Sequence, residues 1–207
     1  LTDVYAFPSS VYPDTQRLIP DVPGQELQES DFNSAQSVVT YRGGERWKLH
    51  MSFGDLTGAL RGNMMAFATK LRVSRNAFLI VNHTAPQRGV LSGTPLVGLS
   101  SLNGSTLVVG NLGTVASWAL AGDFVSVNCE LKMVLEDVGA VSGIASLSIW
   151  PPLRTVPASG INVVVNSPVG AFRLIRAVEM HTDPPEYVTN MTMEAVERVN
   201  SSMVVDL

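Results

Sequence analysis

"ERWKLHMSFGDLTGALRGNMMAFATKLR", residues 45–72, changes its apolar period halfway along. In the first part Trp47, Leu49, Met51 and Phe53 alternate with Arg46, Lys48, His50 and Ser52. Side chains of a strand point to opposite faces at period two, so this is a strand with one buried and one wet face. In the second part Leu56, Leu60, Met64, Phe67 and Leu71 recur at spacings of four, four, three and four. That is one stripe on a helix over 56–71, with Arg61, Asn63 and Lys70 toward solvent and Asp55 or Thr57 as candidate caps. At helical spacing the methionines are read as core filling rather than as a soft binding surface.

Upstream, "SVVTY" (37–41) is a second strand candidate, and "RGGE" between the two runs supplies turn glycines. The pair is expected to form an antiparallel hairpin. The first 25 residues carry prolines at 8, 13, 20 and 23. That punctuation is wrong for central strands and predicts an extended arm over 1–35.

Downstream of "AFLIVN" (77–82) the texture shifts. From Thr84 to Pro168 the chain has three basic and four acidic residues, so about 8% of it is charged, against about 20% of the flanks. Such a step marks a module boundary. Short strand candidates follow one another there: "STLVVG", "DFVSVNC", "LKMVLEDV", "ASLSIW" and "INVVVN". Five short strands with glycine turns suit a small closed barrel, since closure removes exposed edges. "TVASWAL" (114–120) is expected to add a helical turn, and Pro151-Pro152 to end the strand that carries Trp150. Trp150 would then pack over the end of the barrel.

Past Pro168 the long alternating runs return. "AFRLIRAVEMH" sets Phe172, Leu174 and Val178 on one face, with Arg176 interrupting, and "YVTNMTMEAVERV" groups Met191, Met193 and Ala195. The division read from this is an arm at 1–35, a β domain from 36–82 and 169–207, and an inserted barrel at 83–168.

The chain has 207 residues, 45% of them hydrophobic, and a net charge of -4 without any block of one sign. No run approaches the roughly 18–20 apolar residues of a membrane helix, and the start lacks a signal peptide's features. The expectation is a protein made in the cytoplasm that does not insert into membranes. The sequence displays no basic face of the kind that displaces counterions from phosphates, so specific nucleic-acid binding is not expected. The middle segment is also net -1 with few aromatics, which argues against single strands.

His50, His83 and His181 have no metal-ligand spacing, and no cofactor motif occurs. No metal, cofactor or catalytic set is therefore expected, and the chain is read as non-enzymatic. Cys129 is read as a small buried hydrophobe. Asp123, Glu136 and Asp137 would suit a two-carboxylate hydrolase only if they shared a cleft; turn positions favour solvated acids. Trp118 and Trp150 are the candidates for stacking on carbohydrate, a role that needs an exposed ring.

In order and texture the chain resembles the distal tail proteins of long-tailed, non-contractile bacteriophages. The matching stretches are "WKLHMSFGDLTGALRGNMMAFATKL", "FLIVN", "LAGDFVSVNCELKMVLEDV", "LSIWPPLRTVP" and "GAFRLIRAVEMH", within residues 36–200. The resemblance implies a mainly β fold: a tail-tube-like sandwich or barrel with one helix, plus an inserted small barrel of the oligonucleotide-binding (OB-like) type. It also implies a homo-oligomeric ring, a hexamer, at the virion's tail tip. The ring would join the tail tube protein to the hub, baseplate and fibre proteins that serve host attachment, and leave a channel for DNA. The alternative is a carbohydrate-binding accessory module of a tail tip or cell-surface protein.

Overall fold

The computed structural model describes residues 3–22, 26–29, 36–39, 44–83, 86–98, 104–183 and 187–198. The fold is mainly β with a single helix among these residues. The larger sheet is built from both ends of the chain. Its main path runs β1 (Val4–Ala6), β7 (Ala77–Val81), β15 (Val169–Leu174), β17 (Tyr187–Glu197), β5 (Arg46–Phe53) and β2 (Thr15–Asp21). Two further strands, β6 (Leu56–Thr57) and β16 (Glu179–Asp183), also pair with β17.

Strand β5 alternates half-buried and buried residues along its whole length, as its period requires. Its buried set packs with Met64, Phe67 and Leu71 of helix α1 (Gly58–Leu71) and with Phe78, Phe172, Met191 and Met193. The helix therefore covers one face of the sheet and leaves the other to solvent. It starts two residues later than its stripe predicts, because Leu56 and Thr57 are drawn into pairing with β17. Thr57 is the N-cap residue, yet its side chain makes no capping hydrogen bond.

The expected hairpin between "SVVTY" and β5 is not formed: β4 (Gln36–Val39) pairs with β3 (Glu26–Glu29), and residues 40–43 lie outside the described residues. Both edges of β5 are already occupied, by β17 and by a seven-residue ladder with β2. The arm expected over 1–35 is likewise corrected. Val4–Ala6 and Thr15–Asp21 are the two end strands of the main path, where a proline such as Pro20 can sit because one side of an edge strand needs no partner. Phe7 and Val11, between them, drop into the core, Phe7 stacking on Phe53 at 5.9 Å. At the far edge Gln16 donates from Nε2 to the Val81 carbonyl at 3.1 Å and accepts from the His83 N–H at 2.9 Å. One side chain thus ties β2 back to the end of β7 across three intervening strands, so the sheet curls.

Between β7 and β15 the chain leaves this sheet and returns to the same place: Val81 is opposite Val169, and the Asn82 N–H donates to the Pro168 carbonyl at 3.0 Å. The intervening strands pair with one another. A five-stranded sheet runs β11 (Phe124–Val127), β12 (Glu130–Val134), β14 (Ala145–Leu153), β9 (Gly104–Gly110) and β8 (Leu96–Val97). Residues 161–165 close it, bridging Asn162 to Leu96 on one edge and Val164 to Ser126 on the other. A ribbon of β10 (Val115–Ala119) and β13 (Val138–Ala140) completes the barrel.

Two local expectations fail here. "TVASWAL" is strand β10 rather than a helical turn, with Trp118 and Ala119 sealed into the barrel core. Pro151-Pro152 does not end β14, which continues to Leu153. The ladder with β9 is irregular between Ser148 and Leu153, and prolines are tolerated at such an irregularity because no N–H is demanded of them.

Candidate functional site

The two candidate aromatics are far from equivalent. Trp118 is 0% exposed and donates from Nε1 to the Ser92 carbonyl at 3.1 Å. A sealed indole has no face for a sugar, which removes it as a stacking residue. Trp150 is half-buried and meets Trp47 edge-on, with ring centroids 4.5 Å apart. That contact belongs to the seam between barrel and sheet. Trp150 packs on the sheet's side of the barrel, not merely over its end.

Among the described residues, the seam brings together several buried polar side chains. Trp47, on β5, donates from Nε1 to the Leu131 carbonyl on β12 at 3.0 Å and packs against Phe124 at 5.6 Å. Glu197, 1% exposed at the end of β17, accepts the Leu131 N–H at 3.0 Å and the Trp47 N–H at 3.4 Å. Its neighbour Lys132 is fully buried, lies 2.7 Å from Glu130 Oε2 and donates to the Pro152 carbonyl at 3.2 Å. Arg154 reaches across to donate to the Glu45 carbonyl. Burial pushes the Glu197 pKa up, against the opposing pull of Lys132, Arg154 and the Leu131 N–H. The N–H groups of Trp47 on the sheet and Leu131 on the barrel meet at this one carboxyl group, which ties the two together.

Glu197 was legible in principle. It continues the parity of Met191, Met193 and Ala195, so an acid was placed on a buried face. Lys132 similarly interrupts the apolar run of β12.

Two of the three carboxylates considered for hydrolysis accept backbone N–H groups of the same turn. Asp123 is 1% exposed rather than solvated, and receives the N–H groups of Arg88 (2.6 Å), Gly89 (2.8 Å) and Leu120 (2.8 Å). It pins the entry segment of the barrel to the β10–β11 turn. Asp137 accepts the Ala121 N–H at 2.8 Å. Cys129 is half-buried, not in a strand interior, and its pKa is raised by burial. Asn128 and Cys129 both have positive φ (52° and 60°) and form the two-residue turn joining β11 to β12. Among the described residues no three His, Cys, Asp or Glu side chains come together as a metal site. The side chain of His181 lies outside the described residues.

What remains open is surface for contact. A cleft of about 390 Å³ is lined by Phe7, Pro8, Val11, Tyr12, Leu79 and Val169. A second, of about 230 Å³, lies between helix and sheet, lined by residues including Met65, Val73, Leu174 and Val178. On the barrel, the β13–β14 hairpin exposes Val141 (72%) directly opposite Ile144 (55%). No helix among the described residues is long and apolar enough to cross a membrane. No family model matches the chain, and no curated protein matches it.

Proposed function

We propose that this protein is a structural component of a virion, a ring-forming subunit of the distal tail kind, and that it carries no catalytic role. The observation that carries the proposal is the excursion of the chain from β7 into a closed barrel and back beside β7 as β15. A curled sheet with one helix, interrupted at that point by a small barrel, is the layout that the sequence resemblance implies. The division into a host domain and an inserted barrel is part of this proposal, with the opening strands β1 and β2 assigned to the host.

Contact surface supports it. Apolar clefts lie on the larger sheet's module, while an apolar hairpin tip projects from the barrel. Unlike surfaces on one chain associate head to tail, and such contacts make a ring when the rotation closes. Exposed aliphatic side chains grouped in this way mark interaction sites. In the proposed setting the ring, a hexamer, joins the tail tube to the hub and fibre proteins at the tail tip.

The test is immunogold labelling of tailed particles with antibody against the chain. Gold at the end of the tail opposite the head is expected. Gold on the head, or none on any particle, sinks the proposal.

A further inference from the structure

The solvent face of the large sheet gathers a charge that the sequence keeps scattered. Strand register puts Arg17 opposite His50 and His50 opposite Glu194; the next row is Ile19, Lys48, Val196 and Arg173, and the next sets Asp21 beside Arg46. Arg176 reaches Glu194 at 2.9 Å, and Arg46 reaches Asp21 at 2.8 Å. Arg198 follows on the same parity, its pKa lowered by burial and by the guanidinium of Arg173. Six cations (Arg17, Arg46, Lys48, Arg173, Arg176, Arg198) thus share a face with three carboxylates: Asp21, Glu194 and Glu179, the last placed there by its pairing with Thr192, which is opposite Ser52.

The whole chain has 14 basic and 18 acidic residues. Setting the face aside leaves eight basic against fifteen acidic, so a face of +3 belongs to a molecule whose remainder is -7. The best complement to this face is the rest of another copy. A phosphate backbone fits less well. Phosphate-tracking surfaces offer free cations and stacking aromatics, whereas this face clamps Arg46 and Arg176 with its own carboxylates. It sets Ile19 and Val196 between the charges and has no Phe, Tyr or Trp in these rows.

The matching acidic surface is on the barrel. The β12–β13 turn exposes Glu136 and Asp137 next to Leu135, itself 43% exposed. Acids flanked by an aliphatic side chain answer a face of cations flanked by aliphatics.

We propose that the basic sheet face of one copy docks on the Leu135–Asp137 turn of a second copy, head to tail. This rests on the ring reading above and names the two surfaces that meet. Because the surfaces differ, each copy uses both, and the contact can propagate around a closed ring. Opposed potentials also set register and suppress like-to-like docking.

Sedimentation velocity on charge-reversed variants tests it. Variant one carries Arg17→Glu and Lys48→Glu; variant two carries Glu136→Arg, leaving Asp137 to its bond with the Ala121 N–H. Each alone is expected to assemble at least about tenfold more weakly than wild type. Mixed in equal amounts they should reassemble, since the carboxylates introduced into the face of the first now meet the guanidinium introduced into the turn of the second. The unaltered basic face of the second likewise meets the unaltered turn of the first. Arg17→Glu alone, at an exposed edge position, repeats the first arm without disturbing the fold.

Variants that assemble like wild type, or a mixture that stays dissociated, overturn this docking and leave the ring reading standing. Wild type that remains monomeric at every concentration overturns both. A short DNA duplex retained by wild type and released by variant one would assign the face to phosphate instead, and also overturns the docking.

Discussion

Replacing Trp47 by phenylalanine tests how tightly the barrel is fixed to the sheet. The indole N–H donates to the Leu131 carbonyl across the seam, and the ring is 2% exposed. Phenylalanine keeps an aromatic ring but leaves that buried carbonyl without its donor, at about 1–3 kcal/mol. The lost indole atoms and the gap beside Trp150 and Phe124 add about 1–2 kcal/mol. The sum is about 2–5 kcal/mol, a large share of the roughly 5–15 kcal/mol that holds a domain folded. Urea unfolding followed by circular dichroism and by the fluorescence of Trp118 and Trp150 provides the measurement. The wild type is expected to unfold with the two signals together. Trp47→Phe should lower the unfolding free energy by that amount and move the midpoint to lower urea. A loss below about 0.5 kcal/mol, the range of ordinary surface changes, refutes the seam as described.

Three further changes probe other parts of the structure. Asp123→Asn puts an amide donor against at least one of three backbone N–H groups, and is expected to cost about 2–4 kcal/mol; thermal unfolding near the wild-type midpoint would contradict that role. Gly139→Ala would place its Cβ 2.6 Å from the Ala116 carbonyl oxygen, backbone that cannot turn aside. It should fail to fold or lose several degrees of melting temperature, and an unchanged melt counts against the β10–β13 pairing. Glu197 has its pKa raised by burial, so the folded state binds its proton more tightly than the unfolded chain. Its contribution to stability is complete below the ordinary glutamate range and is lost as pH rises through the raised value. Glu197→Gln should flatten stability across that window in a series of urea titrations, and an undiminished slope there contradicts the assignment.

Much of this fold was legible because its signals are local. The alternation of Trp47 to Phe53 and the stripe of Met64, Phe67 and Leu71 follow directly from strand and helix periods. The drop in charge after residue 83 falls where the chain leaves the large sheet for the barrel. Strand partners were not legible. Period two says which face of β5 is buried but not that β2, some thirty residues back, provides its edge. A short run such as "TVASWAL" has too few residues for its period to decide between strand and helical turn. The prolines after Trp150 misled because their effect depends on whether the ladder demands an N–H at that position. The basic face was invisible for a related reason: Arg17, Lys48, Arg173 and Arg176 meet only through register. Trp118 and Trp150 look alike as exposed aromatics until packing distinguishes a sealed core residue from one in the seam.

The central claim is that this chain closes on copies of itself around a hole. Native mass measurement over a concentration series, paired with negative-stain images of the same samples, tests it most directly. The account predicts one closed assembly of fixed subunit number, six, with a central opening. Monomer throughout, or open polymers of unlimited length, would contradict it.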